Sequence, residues 1–198
     1  MGLNLNYNRS QTPLNDEEKD GLKILSINTR EELDEFEHNN IETAIYHFQK
    51  KELTIDYFLT EQFVKNLHLK MFGDVWNWAG IFRKSDKNIG IPWIDIPTEM
   101  KKLLDNVRYW LNKKTFSEDE IAIRFKHRCV SIHPFSNGNG RHSRLLADIM
   151  REKIFSRSFF SWGETYSSNK NLSNLNYIKA LKEADKGDYK KLLEFSRS

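Results

Sequence analysis

The chain has 198 residues, of which 38% are hydrophobic and 30% are charged, and its formal net charge is +3. This composition is that of a globular protein long enough to bury a core of its own. Basic and acidic residues are interleaved along the chain, which argues against nucleic acid as the main partner, because tracking phosphates requires a concentrated basic face.

The sequence contains no sign of a membrane or secretory context. No apolar run approaches membrane-spanning length, and the polar start of the chain does not resemble a secretion signal. We therefore expect a cytoplasmic protein with no membrane partner. The single cysteine, Cys129, cannot close an intrachain disulfide. Its apolar neighbours favour a buried thiol over a reactive nucleophile.

Residues 1–28 are predicted to form a flexible or loosely docked N-terminal arm, because the stretch up to Gly21 is polar and lacks a helical period. Thr29 and the glutamate three residues later form a capping box, which predicts the start of a long helix. Glu37 lies within the apolar stripe of that helix. A carboxylate on a buried face needs a partner, most simply an arginine, and a structural salt bridge is the simpler interpretation of it.

Between residues 81 and 91 the pattern changes from helical to extended. Two short apolar segments, 81–83 and 89–91, flank a polar stretch, which is typical of a small β-hairpin. An exposed hairpin edge can hold an extended peptide by adding it as a strand. A plain surface hairpin is the equal alternative.

Apolar stripes and capping signals, such as Ser117 with Glu120, predict the remaining elements of residues 29–198 to be helical. The predicted helices span residues 60–72, 97–111, 118–132, 145–154 and 175–184.

The loop between two of these helices, 133–144, carries the groups of greatest chemical interest. Its sequence is His133-Pro134-Phe135-Ser136-Asn137-Gly138-Asn139-Gly140-Arg141-His142-Ser143-Arg144. The free N–H groups and the dipole at the start of the second helix favour an anion there. Glycines at 138 and 140 allow the backbone to approach that anion closely, with Asn139 between them.

The side chains of the same loop predict phosphate chemistry. Arg141 and Arg144 lie on one helical face and can both pair with phosphate oxygens, although a surface pair between Arg144 and Asp148 is the simpler alternative. His133 can accept a proton near neutral pH. The amide oxygen of Asn137 is a candidate ligand for Mg²⁺.

Other reaction types fit the loop less well. Acyl transfer would pair Ser136 or Ser143 with a histidine, but it has no use for two arginines and an anion nest. A metallohydrolase could use His127, His133 and His142, but no carboxylate lies among them in the loop. A Walker-type phosphate loop is absent from the sequence. Transfer of a phosphorus-containing group is the chemistry that remains.

The spacing His-Pro-Phe-x-x-Gly-Asn-Gly-Arg-x-x-Arg over residues 133–144 resembles the signature of the Fic/Doc family. Together with Thr12-Pro13-Leu14, the segment 71–76 and the segment 86–90, the whole chain resembles the bacterial, mobile-element-associated subgroup called mobile mystery protein B. The resemblance implies that residues 29–198 form an all-α, Fic-type helical bundle with a small β-hairpin flap over the active-site loop.

The resemblance also implies protein adenylylation, the transfer of AMP from ATP to a Ser, Thr or Tyr hydroxyl of a target protein. His133 would be the general base and Phe135 would anchor the loop. Residues 138–140 and Arg141 would hold the phosphates, and Arg144 would contact the γ-phosphate or an inhibitory glutamate. The flap would align the target's backbone through Arg83, Ile89 and Gly90. A cognate regulator or antitoxin-like protein is the other partner that such a protein would have.

Two positions bear on whether this implied activity is intact. Active members of the family carry an acid at the position of Asn137, and a neutral amide attracts Mg²⁺ less strongly. Glu37 is the nearest candidate for an inhibitory glutamate, and we hypothesise a Glu37–Arg144 salt bridge.

Two further hypotheses accompany adenylylation. One is transfer of a phosphoryl or other phosphate-linked group by the same fold, which labelling with α- or γ-tagged ATP distinguishes. The other is a nucleotide-binding module that has lost activity at Asn137, for which activity would appear only in Asn137→Asp.

Overall fold

The computed structural model of the protein describes residues 12–163 and 170–198, with the side chains of 170–174 excepted. Within these residues the chain is helical, and no helix among them is both long and apolar enough to cross a membrane. The helices are α1 (Asp16–Lys19), α2 (Arg30–Gln49), α3 (Ile55–Phe58), α4 (Glu61–Phe72), α5 (Ile96–Lys113), α6 (Glu118–Ile132), α7 (Asn139–Ile149), α8 (Lys170–Asp185) and α9 (Lys190–Arg197). The predicted all-α fold is confirmed.

Capping signals in the sequence mark true helix starts. Thr29 accepts the backbone N–H of Glu32, and the Glu32 carboxylate accepts the N–H of Thr29, so both bonds of the capping box form. Ser117 likewise caps α6 by accepting the N–H of Glu120. The side chain of Glu120 pairs with Arg124 one turn later instead of returning to the cap. These caps fix where α2 and α6 begin.

Helices α6 and α7 form the centre of the molecule and pack against each other. Helices α5 and α9 cover α6, and α2 and α4 cover α7. Ile121, Phe125 and Ile132 of α6 are buried, so that the end of this helix is held rigidly. A π-type turn, Met150–Ile154, prolongs α7. The loop that joins α6 to α7 therefore rests on the core.

A buried aromatic layer supports this loop from below. The ring of Phe135 is fully buried and stacks on His68 of α4 with centroids 3.7 Å apart. His68 Nδ1 accepts the N–H of Gly80, which assigns the ring proton to Nε2, the atom that faces the carbonyl of Asn137 at 3.1 Å. One neutral imidazole thus connects α4, the segment around Gly80 and the loop.

Residues 81–92 do not form the predicted β-hairpin. Their backbone bonds to the end of α6 and to the following loop instead of pairing across a turn: the N–H of Ile91 donates to the carbonyl of Ile132, and the N–H of Arg83 to that of Pro134. The Arg83 guanidinium donates to the carbonyls of Ser85 and Ile91, which are then not available for hydrogen bonds between two hairpin strands. The segment is therefore an irregular flap tied to the loop, which we call the flap segment.

The prediction of a flexible or loosely docked arm is wrong for its described part, which is packed on the domain. Thr12, Leu14 and Ile27 are buried, and Leu22 forms an isolated antiparallel bridge with Trp76. Residues 1–11, also assigned to the arm from the sequence, lie outside the described residues.

Buried neutral histidines make the fold sensitive to acid. Burial lowers the pKa of His133 and of His142 to about 4, and that of His68 well below its usual value. The unfolded chain therefore binds more protons than the folded one between about pH 4 and 6.5, and stability falls as the pH is lowered through that window. The carboxyl of Asp148 has the opposite effect on the pH dependence of stability, because burial raises its pKa to about 6.

We expect the urea midpoint to drop between about pH 7.5 and pH 5, with each such histidine contributing up to about 1.4 kcal/mol per pH unit. His142→Gln keeps an amide donor for the Val64 carbonyl that His142 Nε2 now contacts. This variant should show a shallower pH dependence than the wild type. Equal slopes in urea titrations of both proteins would contradict the assignment.

Candidate active site

His133 stands at the junction of α6 and the loop, in a backbone conformation that turns the chain sharply. It is the C-cap of α6 and adopts the left-handed region, with φ 56° and ψ 60°. Its side chain is buried, and Nε2 lies 3.0 Å from the hydroxyl oxygen of Thr12. A positive φ in a residue other than glycine costs about 1 kcal/mol or more, which here is met by the surrounding contacts.

The ring of His133 is neutral at physiological pH. Burial is the main reason that its pKa falls to about 4, the positive charge of Arg83 adds to the effect, and the carbonyl of Val130 opposes it. Nδ1 is buried without a hydrogen bond of normal geometry among the described residues. Because the Val130 carbonyl favours a proton on the ring, we assign that proton to Nδ1, which leaves Nε2 to accept the hydroxyl of Thr12.

The start of α7 offers free backbone donors, as predicted. Gly138 is its N-cap with φ 76° and provides no side-chain cap, and the first helical bond runs from His142 to Gly138. The N–H groups of residues 139–141 therefore have no acceptor within the helix. A Cβ at Gly138 would lie 2.6 Å from the ring of Phe72, so that only glycine fits.

Gly140 differs from Gly138 in a way that the sequence did not indicate. Its backbone is outside the left-handed region, and a Cβ there would meet no atom within 4 Å. The fold therefore does not require glycine at 140. Open space beside the free N–H groups is what an incoming anion needs.

The loop is braced by two amide side chains. Asn139 clamps the peptide of Phe135, accepting its N–H at 2.9 Å and donating to its carbonyl at 2.7 Å. Its contribution to an anion site is therefore its backbone N–H. The Asn137 side-chain oxygen accepts the N–H of Gly138 at 2.6 Å. That oxygen keeps a second lone pair for another partner.

Glu37 is buried and paired, but with Arg141 and not with Arg144. One carboxylate oxygen accepts the Arg141 guanidinium at 2.5 Å and the other accepts the indole N–H of Trp76 at 2.7 Å. The hypothesised Glu37–Arg144 salt bridge is wrong because the two arginines, about 60° apart around the helix, diverge. Arg141 packs over Phe72, towards α2.

Arg144 turns instead towards α8. Its guanidinium lies 5.0 Å from the ring centroid of Tyr177, and its Nε is buried without a hydrogen bond among the described residues. Lys126, fully buried on α6, donates to the hydroxyl of Tyr177. Burial would raise the pKa of Tyr177, but Lys126 and Arg144 outweigh it and lower that pKa. Asp148 is occupied elsewhere by the N–H groups of Phe160 and Trp162, so the simple Arg144–Asp148 pair does not form.

The predicted docking residues of the flap segment have different environments. Arg83 is buried, and its Nε donates to the carbonyl of His133 at 2.7 Å, so this side chain holds the flap segment on the loop. Gly90 has φ 99°, and a Cβ there would lie 2.5 Å from Cβ of His133. Ile89 is exposed. A partner could therefore contact Ile89 and the backbone beside it.

The remaining chemically suggestive residues are structural. Burial raises the pKa of the Cys129 thiol to about 12, which confirms a core cysteine. His127 pairs with Asp185 at 2.9 Å and with Tyr189 at 3.0 Å, so that it joins α6 to α8 and α9. Among residues 12–163 and 175–198, no three His, Cys, Asp or Glu side chains cluster as metal ligands.

Two residues of the site were missed from the sequence. In the sequence, Thr12 stands out only as part of the Thr12-Pro13-Leu14 pattern. Nothing in this polar stretch indicates that its hydroxyl reaches His133, which is 121 positions away. His68 lies between two leucines of α4, where a lone histidine is indistinguishable from any core residue.

Comparison with known proteins identifies relatives of this site. The model of the Fic/DOC family matches residues 58–150. A Fido domain-containing protein of Dictyostelium discoideum is 30% identical over 111 residues, a match that covers 54% of this chain and 72% of that protein. The protein adenylyltransferase Fic of Aedes aegypti is 31% identical over 121 residues, which cover 58% of this chain and 24% of that protein. The chain thus spans about a quarter of the length of this adenylyltransferase.

Solved structures support the fold. BepC of Bartonella tribocorum, with bound AMPPNP, superposes with a TM-score of 0.67 at 16% identity, covering 92% of this chain and 97% of that one. Fic-1 of C. elegans gives a TM-score of 0.59 at 20% identity over 80% of this chain and 46% of that one. These likenesses establish the helical architecture.

The two glycines of the nest should respond differently to alanine. In Gly138→Ala the new methyl group would collide with the Phe72 ring, and the positive φ would strain the alanine backbone. This variant should lower the free energy of unfolding by about 2–4 kcal/mol. Gly140→Ala should keep or slightly raise stability, because alanine favours a helix. It should nevertheless weaken the binding of a phosphate anion by about tenfold or more, because its methyl group occupies the open space. Urea unfolding and calorimetric titration with inorganic pyrophosphate measure both effects, and unchanged anion affinity in Gly140→Ala would contradict an anion site at this position.

Proposed function

The chain belongs to the Fic/DOC family, and from this premise we propose that it transfers AMP from ATP to a Ser, Thr or Tyr hydroxyl of a protein. One observation carries the proposal. The unprotonated Nε2 of His133 hydrogen-bonds a hydroxyl group just before the free N–H groups at the start of α7. A base that holds a hydroxyl beside an anion nest is the arrangement that transfer of a phosphorus-linked group requires.

His133 acts as the general base. Its pKa of about 4 keeps Nε2 unprotonated, but it also makes the ring a weak base. Anionic phosphates bound at residues 139–141 favour the protonated imidazole and so raise this pKa towards the working pH. The base therefore gains strength when the nucleotide is in place.

The reaction forms one bond and breaks one. The acceptor oxygen loses its proton to Nε2 of His133 and attacks the α-phosphorus of ATP. The bond from that phosphorus to the β-phosphate oxygen breaks, and pyrophosphate leaves. The N–H groups of residues 139–141 and the guanidinium of Arg141 oppose the charge that accumulates on the phosphates. Arg144, one turn farther along the same helix, adds a second positive charge.

Magnesium would enter with the nucleotide as part of the substrate. The described side chains provide no carboxylate cluster for a resident ion. Asn137 can offer one amide oxygen, whose other lone pair is used by Gly138. Phosphate oxygens and water would supply the other ligands, as is usual for this ion.

We further propose that Glu37 restrains the enzyme. Its carboxylate holds the Arg141 guanidinium, which the phosphates need. Glu37 is almost fully buried, whereas the Arg141 side chain is about one-third exposed. The arginine is thus the partner that is free to leave. ATP must then displace a charge-assisted hydrogen bond before Arg141 can contact it.

The proposed activity is tested by labelling. Purified protein is incubated with Mg²⁺ and ATP carrying the label on the α- or the γ-phosphate, in the presence of bacterial lysate proteins. AMP transfer leaves only the α-label on protein, and His133→Ala should abolish it while retaining ATP binding, since the nest is unaltered. His38→Ala, an exposed histidine of α2, serves as the matched control. Protein labelled by γ-tagged ATP would support phosphoryl transfer instead, and equal labelling by His133→Ala would overturn the role of the base.

The restraint is tested by neutralising Glu37. Glu37→Gln can still accept the Trp76 indole N–H but cannot form the ion pair, and we expect ATP to bind about tenfold more tightly with faster labelling. Glu35→Gln, on the exposed face of the same helix, should change neither. A restraint is excluded if calorimetry gives Glu37→Gln and Glu35→Gln the same ATP affinity as the wild type.

A further inference from the structure

We propose that Thr12 is an AMP acceptor within this chain, so that the protein adenylylates its own N-terminal segment. This inference rests on the proposed function and names one substrate for it. The relevant contact is the hydrogen bond of 3.0 Å between the Thr12 hydroxyl and Nε2 of His133. With the ring proton on Nδ1, the hydroxyl donates to the base that would deprotonate it.

Thr12 occupies the acceptor position closely. Its residue surface is only 7% exposed and that of His133 only 4%, so the contact is shielded from water. A hydroxyl of another protein cannot reach the same nitrogen while Thr12 is there. The segment that carries Thr12 is therefore in the place of a target peptide.

The flap segment holds this peptide. Lys87 donates to the carbonyl of Pro13, directly after Thr12, at 3.2 Å and also pairs with the carboxylate of Glu18. Leu14 is 4% exposed, so that its side chain anchors the segment in the apolar interior. A backbone carbonyl, a charged group and an apolar side chain together fix the approach of residues 12–18.

Farther along, the segment is attached to the domain by backbone and indole groups. The indole N–H of Trp78 donates to the carbonyl of Glu18 at 2.9 Å. The N–H of Asn77 donates to the carbonyl of Gly21 at 2.9 Å, and that of Lys23 to the carbonyl of Val75 at 2.9 Å. A Cβ at Gly21 would lie 2.5 Å from atoms of both Asn77 and Trp78. The tether is thus short and closely packed.

Holding the acceptor in this way has a kinetic consequence. Reaction of Thr12 is intramolecular, and a well-oriented tethered group reacts as if present at a very high local concentration. The Thr12 oxygen gives its proton to His133 and forms a bond to the α-phosphorus, whose bond to the β-phosphate oxygen breaks. Pyrophosphate leaves, and the threonine carries a phosphodiester to adenosine. No further reactant is needed.

The experiment uses the full chain with Mg²⁺ and α-labelled ATP, followed by intact mass and peptide mapping. We expect an adduct of one AMP at position 12, with an initial rate per molecule independent of protein concentration. Thr12→Val, which keeps the side-chain shape and removes the hydroxyl, should lose the AMP adduct. Thr12→Ser should retain the adduct at position 12. Thr98→Val, an exposed threonine of α5, is the matched control and should be modified like the wild type.

Three results would overturn the proposal, and they are distinguishable from failure of the proposed function. If lysate proteins become labelled but position 12 does not, Thr12 is only a plug in the acceptor position, and Thr12→Val should label the lysate faster. If the adduct persists in Thr12→Val, another residue is the acceptor. If the initial rate rises in proportion to protein concentration, the reaction is between molecules. Absence of α-label from every protein, in the wild type and in Glu37→Gln, would instead remove the proposed activity itself.

Discussion

The site depends on the clamp between Asn139 and the peptide of Phe135. Both ends of the amide are used, one for the N–H and one for the carbonyl of residue 135. The clamp closes a loop whose aromatic side chain is buried against His68. Because the loop returns to the core at this point, the chain before it must turn sharply at His133 and the chain after it must start a helix at Asn139. The positions of the proposed base and of the free N–H groups are therefore consequences of one folded loop.

This constraint also explains the use of buried polar groups. An unpaired buried polar atom costs about 1–3 kcal/mol, and the loop carries several peptide groups into the core. Arg83 and His68 satisfy the carbonyls of His133 and Asn137. Both side chains are buried and lie on other parts of the chain, so the loop's shape is determined by the tertiary fold as well as by its own sequence. The neutral state of the histidines follows from the same burial.

Local signals were sufficient to predict most of the helices, whereas the long-range contacts around the candidate site could not be predicted from them. Capping by Thr29 and Ser117 is decided within four residues, which is why those helix starts are confirmed. The hairpin prediction was wrong because the sequence pattern of residues 81–91 carries no information about the distant carbonyls that accept their backbone N–H groups. Glu37 was correctly placed on a buried face, but which arginine it meets depends on how α2 crosses α7. The contact of Thr12 with His133 lies entirely beyond such reasoning.

Under the proposed function, both sides of the reaction centre are occupied by groups of the chain itself. On the proposed nucleotide side Glu37 pairs with the guanidinium of Arg141, and on the proposed acceptor side the Thr12 hydroxyl bonds to Nε2 of His133. The two contacts differ in kind. An ion pair can be displaced by a stronger anion, and a triphosphate brings more negative charge than one carboxylate. A neutral hydroxyl held by a tether is not displaced by charge, and nucleotide binding alone would leave it beside the α-phosphate. Under the proposed mechanism, electrostatics would therefore set the order of events: ATP would displace Glu37 from Arg141 first, with the chain's own threonine already in the acceptor position.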